Sequence, residues 1–152
     1  MPSHPTGTFT NALVALSGGP IDELMVHAVL DLTRPAKARI TAVHVVEVDW
    51  TLPLDADIAG SSEEAQRTLD VAEAIAEAEG YELEPVLLQA RDVGAALVDE
   101  ATERGADVLV VGLGYRKRFG GDFAIGRTVP YVLKNAPCAV WVLREPMPGE
   151  QQ

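Results

Sequence analysis

Five short, mostly apolar runs recur along the chain, at residues 12–16, 40–48, 82–89, 108–111 and 139–143. A stretch with helical spacing, or one closed by helix-stop residues, lies between each pair. This alternation constrains the fold more than any other feature. Strands that alternate with helices form parallel sheets, because a parallel neighbour is reached only through a long crossover. The first run, Ala12-Leu13-Val14-Ala15-Leu16, is apolar at every position, as a strand covered on both faces must be. The second, ITAVHVVEV, is rich in β-branched residues. Pro85 inside the third argues for an edge strand, since proline donates no ladder hydrogen bond.

The intervening stretches carry helix punctuation. After the turn Ser17-Gly18-Gly19-Pro20, the residues Leu24, Met25, Ala28, Val29 and Leu32 fall at helical spacing, and Arg34-Pro35 closes the segment. Ser61 with Glu64 fits a capping box for a helix running to Gly80. Asp92 is placed to cap a helix ending at Gly105. The segment 126–135 precedes Pro137 and reads as the last helix. Residues 49–60 show no period and read as a loop excursion. Residues 1–8 and 146–152 read as tails flanking one domain over 9–145.

Right-handed crossovers then favour an α/β single domain: an open, parallel five-stranded sheet of order 3-2-1-4-5 with helices on both faces. In such sheets ligands bind beyond the carboxyl ends of the strands, where strand order reverses. That point lies between strands one and four. Two turns remote in sequence, Ser17-Gly18-Gly19 and Gly112-Leu113-Gly114, are expected to share one crevice there.

Residues 112–125 form a glycine-rich basic loop between a strand and a helix start, an arrangement that exposes unpaired backbone N–H groups to anions. The net charge is −11 with a pI near 4.6, so the overall field repels nucleic acid and anionic membrane. Arg116-Lys117-Arg118 and Arg127 run against that balance. Positive charge concentrated there points to a small anionic ligand or an acidic partner, although a solvated charge run reads the same way. No apolar run is long enough for a membrane helix, and the N-terminus lacks the basic start and apolar core of a signal peptide. A cytoplasmic protein is expected, with no nucleic acid partner and no membrane insertion. The single cysteine, Cys138, excludes an intrachain disulfide and packs as a small apolar residue. His27 and His44 have no ligand-type neighbours at metal spacing. No nucleophile elbow or catalytic triad signature occurs.

The turn-bearing first strand ALVALSGG, the segment ADVLVVG and the ending GRTVPYVLKNAPCAVWVLR together make the chain resemble the universal stress protein family, from about residue 11 to 144. The resemblance implies a non-enzymatic regulatory module that holds ATP or AMP, with magnesium only as the nucleotide's companion. It implies ligand contacts at Ala15, Ser17, Gly18, Val45, Val111, Gly112, Gly114, Arg116, Gly126, Arg127 and Thr128, with Val45 and Ser17 near the nucleoside and the phosphates over residues 112–126 and Arg127. It also implies a homodimer through the last strand, residues 139–143, where Trp141 reads either as core or as a seam anchor. The loop departs from the family pattern: Tyr115 stands at the second glycine position, Arg127 replaces a hydroxyl residue, and Ser17 stands where nucleotide binders carry an acid. Those departures favour a second reading, a nucleotide-free homodimeric interaction protein whose basic loop meets a protein partner. Ser17-Gly18-Gly19 also resembles the pyrophosphate loop of N-type ATP pyrophosphatases, which gives a remote third reading, an ATP-dependent adenylating enzyme.

Overall fold

The computed structural model describes residues 9–56, 61–116, 122–123 and 126–147. In chain order the elements are β1 (Asn11–Leu16), α1 (Ile21–Thr33), a 3-10 turn (Arg34–Ala36), β2 (Arg39–Glu47), α2 (Ser61–Ala78), β3 (Glu84–Ala90), α3 (Val93–Arg104), β4 (Val108–Leu113), β5 (Tyr115–Arg116), β6 (Asp122–Phe123), α4 (Thr128–Asn135) and β7 (Ala139–Arg144). The main sheet has five parallel strands in the order β3-β2-β1-β4-β7. This is the predicted order, with β7 as the fifth strand and β3 at an edge.

Side chains alternate across each strand, so the apolar runs feed two cores. On one face Ala12, Val14 and Leu16 of β1 pack with Met25, Val26, Val29 and Leu30 of α1 and with Leu69, Ala72 and Ala76 of α2. On the other, Leu13 of β1, Val43 and Val45 of β2 and Leu109 and Val111 of β4 pack with Leu97 and Ala101 of α3 and Val129 and Val132 of α4. Burying an aliphatic side chain of this size stabilises by about 2 kcal/mol. The central strands therefore account for much of the driving force.

Helix ends follow local chemistry. The Asp92 carboxylate accepts the N–H of Ala95 at 3.0 Å, and Gly105 closes α3 in the left-handed region at φ 64°. Gly94 in α3 is a glycine for a packing reason: a Cβ there would meet the Tyr131 ring of α4 at 3.1 Å. At the amino ends of the strands, Asp107 accepts N–H groups from Thr10 at 2.8 Å and Asn11 at 3.1 Å, tying the start of β1 to the entry of β4.

Some boundaries differ from the sequence reading. Ser61 is the first described residue of α2, and its side chain, with the capping expectation placed on it, lies outside the described residues. Leu24 faces outward at 39% exposure, while Ile21, Val26 and Leu30 take the buried stripe of α1. The stretch read as a continuous loop after residue 111 instead extends β4 to Leu113 and contains an antiparallel pairing of Tyr115 with Phe123 and Arg116 with Asp122. The last helix begins at Thr128, because Gly126 adopts φ 60° and Arg127 forms the cap position. The tail over 1–8 and residues 148–152 lie outside the described residues.

Candidate functional site

The crevice forms where β1 and β4 part company, β1 turning toward α1 and β4 toward the β5–β6 hairpin and α4. It has a volume of about 950 Å³. The turn after β1 forms one wall, the carboxyl ends of β2 and β4 the floor, and Gly126, Arg127 and Thr128 the opposite wall. The two remote turns thus share one cleft, as the strand order requires.

Of the ligand residues expected from the resemblance, Ala15, Ser17, Gly18, Val45, Val111, Gly112, Gly114, Gly126, Arg127 and Thr128 all line this crevice. Arg116 has its backbone in β5, opposite Asp122; its side chain lies outside the described residues, as do Lys117, Arg118, Gly120 and Gly121. In the loop after β2, residues 49–56 are held to the end of β3. Arg91 donates to the carbonyls of Asp49 and Leu52 and lies over the Trp50 ring, and Gln89 donates to the Ala56 carbonyl. None of these described loop residues lines the crevice, which matches a plain excursion.

The two turns differ in what they offer a ligand. In the first, the Asp22 carboxylate accepts the N–H of Ser17 at 2.8 Å and that of Gly18 at 2.7 Å. The Ser17 hydroxyl donates to Asp22 at 3.1 Å and itself accepts the N–H of Gly19 at 3.1 Å. Those donors are spent inside the protein, so this turn is a wall and not an anion cradle. At the second, no described side chain caps α4. Its first N–H groups, next to Gly126 in its left-handed conformation, are therefore the backbone donors left for an anion.

Gly112 has a structural duty besides its place in the crevice. A Cβ there would sit 2.7 Å from the Met25 sulfur and 3.1 Å from Ile21 Cδ1. The residue must be glycine for α1 to lie close on β4.

Three polar residues of the crevice escaped the sequence reading. His44 at the end of β2 bonds through Nδ1 to the Leu16 carbonyl at 3.0 Å. A carbonyl only accepts, so Nδ1 donates in this bond. Glu47 closes β2, and its carboxylate lies 3.5 Å from the Arg127 guanidinium. Glu145, just beyond β7, also lines the cleft. Period-two alternation from Val43 and Val45 marks Glu47 as sharing their face; it does not reveal that this face opens into the cleft.

Among the described residues no cluster of three or more metal-ligating side chains occurs, and no helix is long and apolar enough to cross a membrane.

The family model described as "Universal stress protein family" matches residues 8–144. No curated protein matches the sequence. Among solved structures, a universal stress protein from Archaeoglobus fulgidus superposes with a TM-score of 0.70 at 24% identity, over 88% of this chain and 97% of its own. A universal stress protein structure from the same organism, described as a complex with dAMP, gives 0.68 at 23% identity over 88% and 96%. A universal stress family protein from Burkholderia pseudomallei gives 0.66 at 26% identity over 91% and 98%.

Proposed function

The chain belongs to the universal stress protein family, and on that premise we propose that it is a regulatory module that binds an adenine nucleotide in the β1–β4 crevice. The convergence of the Ser17 turn, Val45, Gly112 and the uncapped start of α4 on one cleft supports this reading most directly. The base and ribose fit the side formed by Ala15, Ser17 and Val45. The phosphate fits the Gly126–Arg127–Thr128 side, where backbone donors and a guanidinium are available. The dAMP complex of the Archaeoglobus fulgidus protein supports the ligand class. ATP or AMP is the expected ligand, with magnesium entering only alongside a polyphosphate. The module acts by binding, as a cytoplasmic homodimer, and not as an enzyme.

Calorimetry and thermal melts with AMP and ATP test the proposal. Saturable heat and a rise in melting temperature are expected; no heat and no shift at millimolar nucleotide remove it.

A second reading, a nucleotide-free interaction protein, draws on two observations. The N–H groups of the Ser17 turn are already taken, and the edge strand β7 leaves Trp141 at 44% and Val142 at 39% exposure. Mass spectrometry of small molecules that copurify with the protein separates the readings. A retained nucleotide excludes the second.

A further inference from the structure

We propose that Glu47 is a specificity-determining residue of the crevice, grading ligands by their phosphate charge through its ion pair with Arg127. This rests on the nucleotide reading above and adds to it a rule for which nucleotides are favoured.

The two partners reach the cleft from opposite sides of the point where strand order reverses. Glu47 ends β2, which pairs with β1 on one side. Arg127 occupies the N-cap position of α4, which follows β4 on the other side of β1. Both line the cleft, and Glu47 Oε2 lies 3.5 Å from Arg127 Nη2. The pair therefore spans the mouth. Its side chains are 54% and 79% exposed, so solvent screens it and it exchanges readily.

Among the described residues, Arg127 supplies the guanidinium at the α4 start, where a phosphate would sit. A bound phosphate takes the guanidinium from Glu47 and leaves that carboxylate beside the new anion. The penalty rises with each ligand charge and vanishes for a nucleoside without phosphate. Glu145 also lines the cleft, near Gly114.

Isothermal titration of adenosine, AMP and ATP into the full chain, its Glu47→Gln and Arg127→Gln variants and the double variant tests this. Glu47→Gln should leave adenosine affinity unchanged and tighten AMP about twofold and ATP about fivefold, the range an exposed ion pair supports. Higher salt should shrink the gain. In the Arg127→Gln background the same substitution should give a smaller gain. Equal tightening of all three ligands, no change while ligands still bind, or an undiminished gain without Arg127 would each overturn the ion-pair route and leave the nucleotide reading standing. If no ligand binds any variant at millimolar concentration, the nucleotide reading falls and takes this proposal with it.

Discussion

The carboxylate of Asp22 accepts the backbone N–H of Gly18 at 2.7 Å, from the first turn of the helix that the Gly18 turn introduces. With the bond from Ser17 N–H, it locks the exit from β1 into one geometry while Gly18 holds φ 86°. Asp22 is 9% exposed, and charge-assisted bonds in such a setting are stronger than neutral ones.

Replacing Asp22 with alanine should therefore destabilise the protein by about 2 kcal/mol. Asp22→Asn keeps an acceptor and should lose roughly half of that. Urea denaturation checks both: the midpoint falls while the slope stays constant. An unchanged midpoint for the alanine variant would mean that water replaces the carboxylate without cost.

Gly112 offers a sharper test, because its need for glycine comes from Met25 and not from backbone conformation. Alanine at 112 places a methyl group 2.7 Å from the Met25 sulfur, which is fully buried and must shift. Overpacking of this kind costs about 1–3 kcal/mol. In a Met25→Ala background the same substitution should cost markedly less, since only the 3.1 Å approach to Ile21 Cδ1 remains. Equal costs in both backgrounds, measured by denaturation of the four proteins of the cycle, would show that the contact with Met25 is not the reason.

These two residues also show what was legible in the sequence. The strands could be read because runs such as residues 12–16 and 108–111 are apolar at every position, and only a doubly covered parallel strand requires that. Their order followed from crossover handedness, and the shared cleft followed from the order. Gly112 was legible as a glycine beside the cleft, but its packing reason needed the seating of α1. Asp22 carries no signal of its own in the sequence; its grip on Ser17 and Gly18 depends on the path of the four-residue turn 17–20. Glu47 required knowing which face of β2 opens into the crevice. The β5–β6 pairing is only two residues long in each strand, too short to show any period.

Thr41 carries an avoidable cost. Its hydroxyl is buried on β2, at 1% exposure, with no hydrogen-bond partner among the described residues. A buried polar group left unpaired costs about 1–3 kcal/mol, and an apolar group of the same shape removes that penalty. Thr41→Val should raise stability by about 1 kcal/mol, seen as a higher urea midpoint. A lower midpoint would show that the hydroxyl is in fact satisfied in solution.

Cys138 gives a pH-dependent readout at the foot of β7. Burial, aided by the negative charge of Asp107, pushes its thiol pKa above that of a free cysteine. The thiolate is the reactive form, so at pH 7–8 labelling by a thiol reagent should be slower than in urea-unfolded protein, and its rate should keep rising to higher pH. Asp107→Asn should lower the folded thiol pKa only in part, since burial is the larger cause. The stability consequence has a definite sign. The folded chain holds this proton more tightly than the unfolded chain does. The resulting stabilisation is fully present below the unfolded thiol's pKa and is lost as pH rises through the higher folded value. Serine at 138 does not titrate in this range, so Cys138→Ser should show a shallower alkaline loss of stability than the parent. A steeper loss, or labelling as fast in the folded as in the unfolded chain, would contradict a thiol held protonated by burial.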